Sequence, residues 1–191
     1  MSASLPSVVF LDRDGTIIED AHFINDPNAV RLIPGAAKAI AALNNGKIPV
    51  VVVTNQSGIA RGLITQAQYE AVRAASEEML GAEGARIDRS YFCPHHPDVS
   101  GPCECRKPAS KMFRDALGDF GVTAEKAAYI GDRWRDVAAS KELGGRGILI
   151  SSPMTSDEDR RRAREMDIED AADLQEAVSR LLSLTEGGAP K

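Results

Sequence analysis

The sequence predicts an α/β protein with a doubly wound parallel sheet that is covered by helices on both faces. Short apolar runs recur along the chain, and stretches with helical periodicity separate them. The clearest of these runs are continuously apolar rather than alternating, which is typical of parallel strands buried on both sides. Strands that alternate with helices of this length predict βαβ units and therefore a parallel sheet.

The first half of the chain is predicted to contain two strand–helix units. A run of β-branched and aromatic residues at 8–11 predicts the first strand. The dipeptide Pro34-Gly35 opens a helix that ends near residues 44–46, because proline suits the first helical position and Asn-Asn-Gly ends a helix. Residues 48–53 predict the second strand, and Thr65 caps a helix that runs to about residue 80.

The second half is predicted to continue this alternation. Strands are predicted at 89–92, 127–130 and 147–150, helix starts at Ser110 and Thr123, and helices over 133–143 and 156–164. The last of these helices is highly charged, so it is expected to present a solvated face. We expect one domain over residues 1–185 and a frayed, disordered tail at 186–191.

Length and composition restrict the classes of protein that the chain can represent. With 191 residues, 43% of them apolar and 27% charged, it fits one globular domain that folds without disulfides. The net charge of -5 gives no broad basic surface for nucleic acid or an anionic membrane. The sequence shows no signal-peptide pattern and no membrane-spanning apolar run, so we expect a cytoplasmic protein. We also expect it to be a monomer.

The segment Asp12-Arg13-Asp14-Gly15-Thr16 directly follows the first predicted strand. Two carboxylates spaced i, i+2 at the end of a strand can share one reaction centre, where one attacks while the other moves a proton. Aspartate can also carry a phosphoryl group as an acyl phosphate. A D-x-D pair alone is equally compatible with an acidic turn that ends the strand.

Three further polar segments are placed at the same edge of the predicted sheet. Residues 54–58 offer hydroxyls, amides and backbone N–H groups that suit phosphate oxygens. Arg106 and Lys107 place fixed positive charge ahead of a helix, and residues 131–136 add two more carboxylates. Taken singly, residues 54–58 fit a polar loop, Lys107 fits a solvated lysine, and Asp132 fits a helix cap. Because ligands of doubly wound sheets bind beyond the carboxyl ends of the strands, their co-occurrence predicts a phosphate site.

Three cysteines and a histidine form a second cluster in the sequence, as Cys93-Pro94-His95 and Cys103-Glu104-Cys105. An odd number of clustered cysteines without a secretion signal favours metal binding over disulfides. Three thiols and one imidazole suit a closed, structural tetrahedral Zn²⁺ site, which would fix the loop over 93–105. His96 is a competing ligand, and we prefer His95 because C-x-H places both donors on one side of a turn. The alternative is a set of free or buried thiols.

In their order along residues 8–182, these motifs resemble the haloacid dehalogenase superfamily of phosphohydrolases. The resemblance implies a Rossmann-like sheet without a large cap domain. It implies that Asp12 is the nucleophile, that Asp14 is the general acid and base, and that Thr54 and Lys107 hold the phosphoryl oxygens. It also implies a Mg²⁺ ion, whose ligands would be Asp12, the backbone carbonyl of Asp14 and Asp132. Asp136 would support this metal site from outside the ligand set.

Within the superfamily, the zinc loop followed by Arg106-Lys107-Pro108 resembles two groups, the heptose bisphosphate and the histidinol-phosphate phosphatases. Residues 54–62 follow the heptose pattern, and residues 20–24 match its substrate-contacting segment loosely. The resemblance implies hydrolysis of the 7-phosphate of D-glycero-D-manno-heptose 1,7-bisphosphate, a small-molecule substrate. The implied substrate contacts are Arg13, Asp20, Ala21, His22, Phe23, Asn55, Gln56, Ser57, Arg106 and Arg133.

Other activities use similar residues and stay open at the level of the sequence. Histidinol phosphate or another small sugar phosphate is the alternative substrate. A phosphotransferase would have to exclude water, which the short flap around residues 20–30 does not favour. A nucleic-acid end phosphatase should show a basic groove. A non-catalytic, zinc-stabilised binding module would need none of the catalytic residues that are present here.

Overall fold

A computed structural model describes residues 5–183 of the chain. Six strands form one sheet in the order β3-β2-β1-β4-β5-β6, and every neighbouring pair is parallel. The strands are β1 (Val8–Leu11), β2 (Val50–Asn55), β3 (Arg89–Cys93), β4 (Ala127–Gly131), β5 (Arg146–Ile150) and β6 (Glu169–Ala171). The predicted doubly wound parallel sheet is therefore confirmed.

Helices connect the strands and cover both faces of the sheet. They are α1 (Ala36–Asn45), α2 (Gln66–Ala82), α3 (Pro97–Ser100), α4 (Lys111–Phe120), α5 (Trp134–Val137), α6 (Ala139–Leu143), α7 (Asp157–Glu165) and α8 (Leu174–Leu182). Only a short flap, which contains a 3-10 turn at Pro27–Ala29, separates β1 from α1. The segment between β1 and β2 thus contains no inserted cap domain.

The strand order places a crevice at the carboxyl end of β1. From β1 the chain builds β2 and β3 on one side, and β4, β5 and β6 follow on the other side. The direction of winding reverses between β1 and β4, and the connections that leave these two strands diverge. A crevice at such a switch point is the usual ligand site of a doubly wound sheet.

Alternate residues of the central strand supply two separate cores. Val9 and Leu11 pack with the cluster that contains side chains of α1, α2 and α8. Phe10 enters the opposite cluster, where its ring lies 5.3 Å from that of Phe113 and 5.2 Å from that of Tyr129. Because successive side chains of a strand point to opposite faces, an unbroken apolar run is what a sheet covered on both sides requires.

Several predicted boundaries are wrong, and short elements account for most of the errors. The helix predicted over 133–143 is divided into α5 and α6, and Thr123 precedes only a 3-10 turn, Ala124–Lys126, because β4 begins directly after it. The second strand begins at Val50, one residue after Pro49, which has no N–H to donate. The elements α3, β6 and α8 were not predicted, and two of them are too short to show a hydrophobic period.

The described part of the chain also shows whether a helix could span a membrane. No helix within residues 5–183 is long and apolar enough to cross a membrane. The single domain over residues 1–185 stays a prediction, and the tail at 186–191 lies outside the described residues.

We predict that Phe113→Ala lowers the free energy of unfolding by about 3–5 kcal/mol, as measured by urea denaturation. The Phe113 ring is buried and makes edge contacts with Phe10 and Tyr129, so truncation leaves a cavity in the core that α4 covers. Leu63→Ala is the control, since Leu63 is 48% exposed, and it should cost at most about 0.5 kcal/mol. Equal losses in both variants would contradict the prediction.

Candidate active site

A polar cavity of about 190 Å³ lies at the carboxyl ends of β1, β2 and β4. Nearly all the residues that the sequence predicted for catalysis and substrate binding line it. They are Asp12, Arg13, Asp14, Asp20, His22, Phe23, Thr54, Asn55, Gln56, Ser57, Arg106, Lys107, Asp132 and Arg133. The four polar segments therefore meet in one site, as the topology of the sheet requires.

A buried ion-pair network of Lys107 with two aspartates forms the floor of the cavity. The Lys107 Nζ lies 2.8 Å from Asp12 Oδ1 and 2.8 Å from Asp136 Oδ1, and it donates to the Val53 carbonyl at 2.5 Å. Burial lowers the pKa of Lys107, but the two carboxylates outweigh this effect and hold the pKa above its ordinary value. The side chain therefore stays an ammonium ion beside Asp12.

The end of β2 fixes the backbone of Lys107. The Asn55 side chain donates to the Lys107 carbonyl at 3.1 Å and accepts from the Lys107 N–H at 3.0 Å. Asn55 thereby supplies a donor and an acceptor to one peptide segment, much as a neighbouring strand would. The predicted polar loop thus also positions the lysine.

Two side chains orient the carboxylate of Asp14. The Arg13 Nη2 lies 2.9 and 3.0 Å from the two Asp14 oxygens, and the Arg13 guanidinium stacks on the Tyr69 ring at 5.2 Å. The Gln56 amide donates to Asp14 Oδ2 at 2.8 Å and to Thr54 Oγ1 at 3.0 Å. Burial raises the pKa of Asp14 more than the charge of Arg13 lowers it. A carboxyl group with a raised pKa is suited to act as a general acid.

Three carboxylates form an oxygen-rich group that fits a hard cation. Oxygens of Asp12, Asp132 and Asp136 lie within 4.8 Å of one another. Asp132 Oδ2 accepts from Ser152 Oγ at 2.7 Å, whereas Asp132 Oδ1 is buried without a hydrogen-bond partner among residues 5–183. Burial and the two neighbouring aspartates raise the pKa of Asp132 to about 7. A divalent cation would satisfy the unpaired oxygen and offset the repulsion, as carboxylate sites for Mg²⁺ do.

Two glycines allow these carboxylates to approach the backbone. Gly15 has a φ of 84°, and a Cβ there would lie 2.4 Å from Asp132 Oδ2. A Cβ on Gly131 would lie 2.4 Å from Asp136 Cβ. Any larger residue at either position would displace a carboxylate of the site.

The predicted zinc ligands converge on one point. Donor atoms of Cys93, His95, Cys103 and Cys105 all lie within 4.8 Å of one another. The Cys103 sulfur lies 3.7 Å from the Cys93 sulfur and 3.6 Å from the Cys105 sulfur. The sulfurs of Cys93 and Cys105 are 2.7 Å apart. Zinc–sulfur bonds of about 2.3 Å give a tetrahedral edge of about 3.8 Å, so the Cys103 distances suit this ion.

Electrostatics at the thiols and the position of His96 agree with this donor set. Burial raises the pKa of Cys93 and Cys105, so these thiolates need a nearby cation at neutral pH. His96 lies outside the four-residue group and instead accepts from the Asp98 N–H at the start of α3, at 3.3 Å. The Cys/His cluster is compatible with a zinc loop.

The flap contributes Phe23, but it does not contribute Ala21. His22 and Phe23 have positive φ values of 47° and 58°, and the His22 N–H donates to Asp20 Oδ1 at 3.0 Å. This tight turn directs Asp20, His22 and Phe23 to the cavity and leaves Ala21 exposed, outside the cavity wall. The expectation that Ala21 contacts the substrate stays a prediction. The Phe23 ring packs over Gly58, where a Cβ would lie 2.6 Å from it.

Sequence reasoning missed Arg135 and underestimated Asp136. Arg135 lines the cavity, and its position between Asp132 and Asp136 in one short segment is the signal that could have found it. Asp136 contacts Lys107 directly, and its other oxygen accepts from the Arg133 N–H at 3.0 Å. Its role thus includes the lysine as well as the metal-binding carboxylates.

Family models and relatives that match along most of the chain agree with this geometry. A model described as haloacid dehalogenase-like hydrolase matches residues 9–84, and a HAD-hydrolase-like model matches residues 104–177. A Yersinia pestis protein named D-glycero-beta-D-manno-heptose-1,7-bisphosphate 7-phosphatase is 33% identical over 186 residues, covering 93% of this chain and 97% of the relative. The chain belongs to the haloacid dehalogenase-like hydrolase family.

Two further relatives support the same placement. A Rhodopseudomonas palustris protein with the same name is 39% identical over 153 residues, covering 75% of this chain and 84% of the relative. The crystal structure of D,D-heptose 1,7-bisphosphate phosphatase from B. bronchiseptica, complexed with magnesium and phosphate, has a TM-score of 0.82 and 31% identity, covering 93% of this chain and 98% of that one. The predicted family and the predicted class, a phosphoric monoester hydrolase, are confirmed.

We predict that Gly15→Ala lowers kcat/KM for p-nitrophenyl phosphate by at least about tenfold, because the added methyl group displaces Asp132. Gly84→Ala is the matched control. Gly84 has a similar φ of 77°, with no atom within 4 Å of an added Cβ, so this variant carries only the backbone strain. Retention of full activity in Gly15→Ala would show that the contact is unimportant for turnover.

Proposed function

We propose that this protein removes the 7-phosphate from D-glycero-D-manno-heptose 1,7-bisphosphate. The observation that carries the proposal is the similarity to heptose bisphosphate phosphatases over more than nine-tenths of the chain. The cavity offers what such a substrate needs. It combines the aspartates and Lys107 for one phosphate with further arginines, including Arg106, for another anionic group.

The first step is the transfer of the phosphoryl group to Asp12. A carboxylate oxygen of Asp12 attacks phosphorus, the bond from phosphorus to the C7 oxygen breaks, and protonated Asp14 gives its proton to that oxygen. Lys107 stabilises the charge that develops on the phosphoryl oxygens, since it is a fixed cation beside the nucleophile. The Thr54 hydroxyl, held by Gln56, is placed to donate to the same oxygens.

The second step is hydrolysis of the aspartyl-phosphate. Asp14, now ionised, takes a proton from water while the water oxygen attacks phosphorus. The bond from phosphorus to Asp12 breaks, which releases phosphate and restores both carboxyl groups to their starting states. Arg13 and Gln56 hold Asp14 in the position that both proton transfers need.

Two metal ions complete the proposal. Asp12, the backbone carbonyl of Asp14 and Asp132 would hold Mg²⁺, which supplies positive charge that offsets the repulsion between a carboxylate nucleophile and a phosphate. Cys93, His95, Cys103 and Cys105 would hold a structural Zn²⁺. The monomeric state and the cytoplasmic location remain predictions.

Turnover measured side by side on heptose 1,7-bisphosphate, histidinol phosphate and fructose 1,6-bisphosphate tests the proposed substrate. We expect the heptose compound to have the highest kcat/KM, with release of the phosphate from C7. A higher kcat/KM for either of the other two compounds would contradict the proposal without affecting the assignment to the phosphatases.

Asp12→Asn should preserve the fold and lower kcat by at least about a thousandfold, because a neutral amide cannot form the acyl phosphate. Asp14→Asn should also be slow, but it retains the nucleophile and should accumulate phosphorylated protein, which intact-mass measurement detects. Mass spectrometry also checks Asp12→Asn for deamidation. More than a few per cent of wild-type activity in the undeamidated variant would exclude Asp12 as the nucleophile.

Purified protein should contain one Zn²⁺ per chain by elemental analysis after a wash with chelator. Cys103→Ser should lower the melting temperature and raise KM more than it changes Mg²⁺ affinity, because the metal holds the loop that leads to Arg106 and Lys107. Ser100→Ala, in the same loop, is the control and should retain the zinc. Folded, active protein with a zinc content near zero would refute the structural zinc site.

A further inference from the structure

Three of the basic side chains that line the cavity are already paired with carboxylates. Arg13 contacts Asp14 at 2.9 Å, and Lys107 lies between two aspartates at 2.8 Å from each. Arg133, which the sequence suggested as a substrate contact, lies 3.3 Å from Asp159 at the start of α7. The charges of these three residues are largely neutralised within the protein.

The two remaining arginines of the cavity lack such partners. Neither Arg106 nor Arg135 forms an ion pair within residues 5–183, and the Arg106 guanidinium donates only to the backbone carbonyl of His95 among them, at 3.3 Å. Arg135 Nε is buried and has no hydrogen-bond partner among the described residues. A buried N–H without an acceptor is unfavourable, and no hydrogen bond from Nε to the described residues fixes the Arg135 side chain, which lines the cavity.

The ion pair between Lys107 and Asp136 brings these two arginines together. Arg106 directly precedes Lys107, Arg135 directly precedes Asp136, and the ion pair joins the two segments at 2.8 Å. Two unneutralised guanidinium groups in one wall repel each other, and a phosphate that accepts from both removes the repulsion.

We propose that Arg135, together with Arg106, binds the phosphate that is not hydrolysed, and that Arg135 thereby determines the preference for bisphosphates over monophosphates. The inference rests on the proposed bisphosphate phosphatase function. It transfers to Arg135 the role that the sequence suggested for Arg133. The two residues occupy the same short segment, but only Arg135 has a guanidinium without an internal anionic partner.

The test compares substrate pairs that differ by one phosphate. The kcat and KM of the wild type, Arg135→Gln, Arg135→Lys and Arg164→Gln are measured on heptose 1,7-bisphosphate with heptose 7-phosphate, and on fructose 1,6-bisphosphate with fructose 6-phosphate. Arg164 is an exposed residue of α7 outside the cavity wall, so its variant makes the same change of charge at an unrelated place. Thermal unfolding of each variant reports on its fold.

We expect Arg135→Gln to lower the ratio of kcat/KM for the bisphosphate to kcat/KM for the monophosphate by about tenfold or more, chiefly through KM. Arg135→Lys should keep part of this ratio, because lysine retains the charge without the forked donors. Arg164→Gln should leave the ratio unchanged. If the glutamine variant is unstable, the lysine variant decides, and a ratio equal to that of the wild type then overturns the inference.

The inference is also wrong if Arg135→Gln folds normally and keeps the wild-type ratio, or if both members of a pair lose activity equally. The inference is overturned as well if the wild-type protein has the same kcat/KM for each bisphosphate and its monophosphate, because it then has no second phosphate site. Preference for the fructose pair over the heptose pair contradicts the proposed substrate instead. The ratio for Arg135→Gln on the fructose pair then still decides the role of Arg135.

Discussion

The buried ammonium group of Lys107 is the interaction on which the arrangement of the site depends. It contacts Asp12 at the end of β1, Asp136 at the start of α5 and the carbonyl of Val53 in β2, so it joins three elements. Two carboxylates could not be buried so close together without a cation between them, because unpaired buried charges are strongly unfavourable. The two hydrogen bonds of the Asn55 side chain hold the backbone that carries this lysine, so Asn55 acts on the site through it.

Local charge explains how a protein with a net charge of -5 can act on a phosphate ester. Arg13 and Lys107 pair with aspartates of the cavity, and this pairing orients Asp14 and holds Lys107 beside Asp12. Arg106 and Arg135 line the same cavity without an ion-pair partner among the described residues. The cavity thus offers an anionic substrate positive charge that carboxylates of the described residues do not pair.

The sequence alone was sufficient for the class of the sheet and five of its six strands, for the residues that meet in the cavity and for the four possible zinc ligands. Continuous apolar runs separated by helices are a local pattern, and they identify buried parallel strands without knowledge of the tertiary contacts. Asp12, Lys107 and Asp132 could be placed together because the carboxyl ends of parallel strands meet at one edge of the sheet. The cysteine spacing was informative for a similar reason, since two short knuckles need only one loop to bring four donors together.

Only the tertiary structure decided which charges are paired and which are free. Arg133 and Arg135 are two positions apart, equally basic and both in the cavity wall, yet Arg133 pairs with Asp159 of α7 whereas Arg135 forms no ion pair with the described residues. Likewise, the turn at His22 leaves Ala21 outside the cavity wall, and the contact between Lys107 and Asp136 joins residues 29 positions apart. These outcomes depend on the packing of distant segments and on side-chain directions. The sequence determined which chemical groups reach this edge of the sheet, and the packing determined which of them remain available to a substrate.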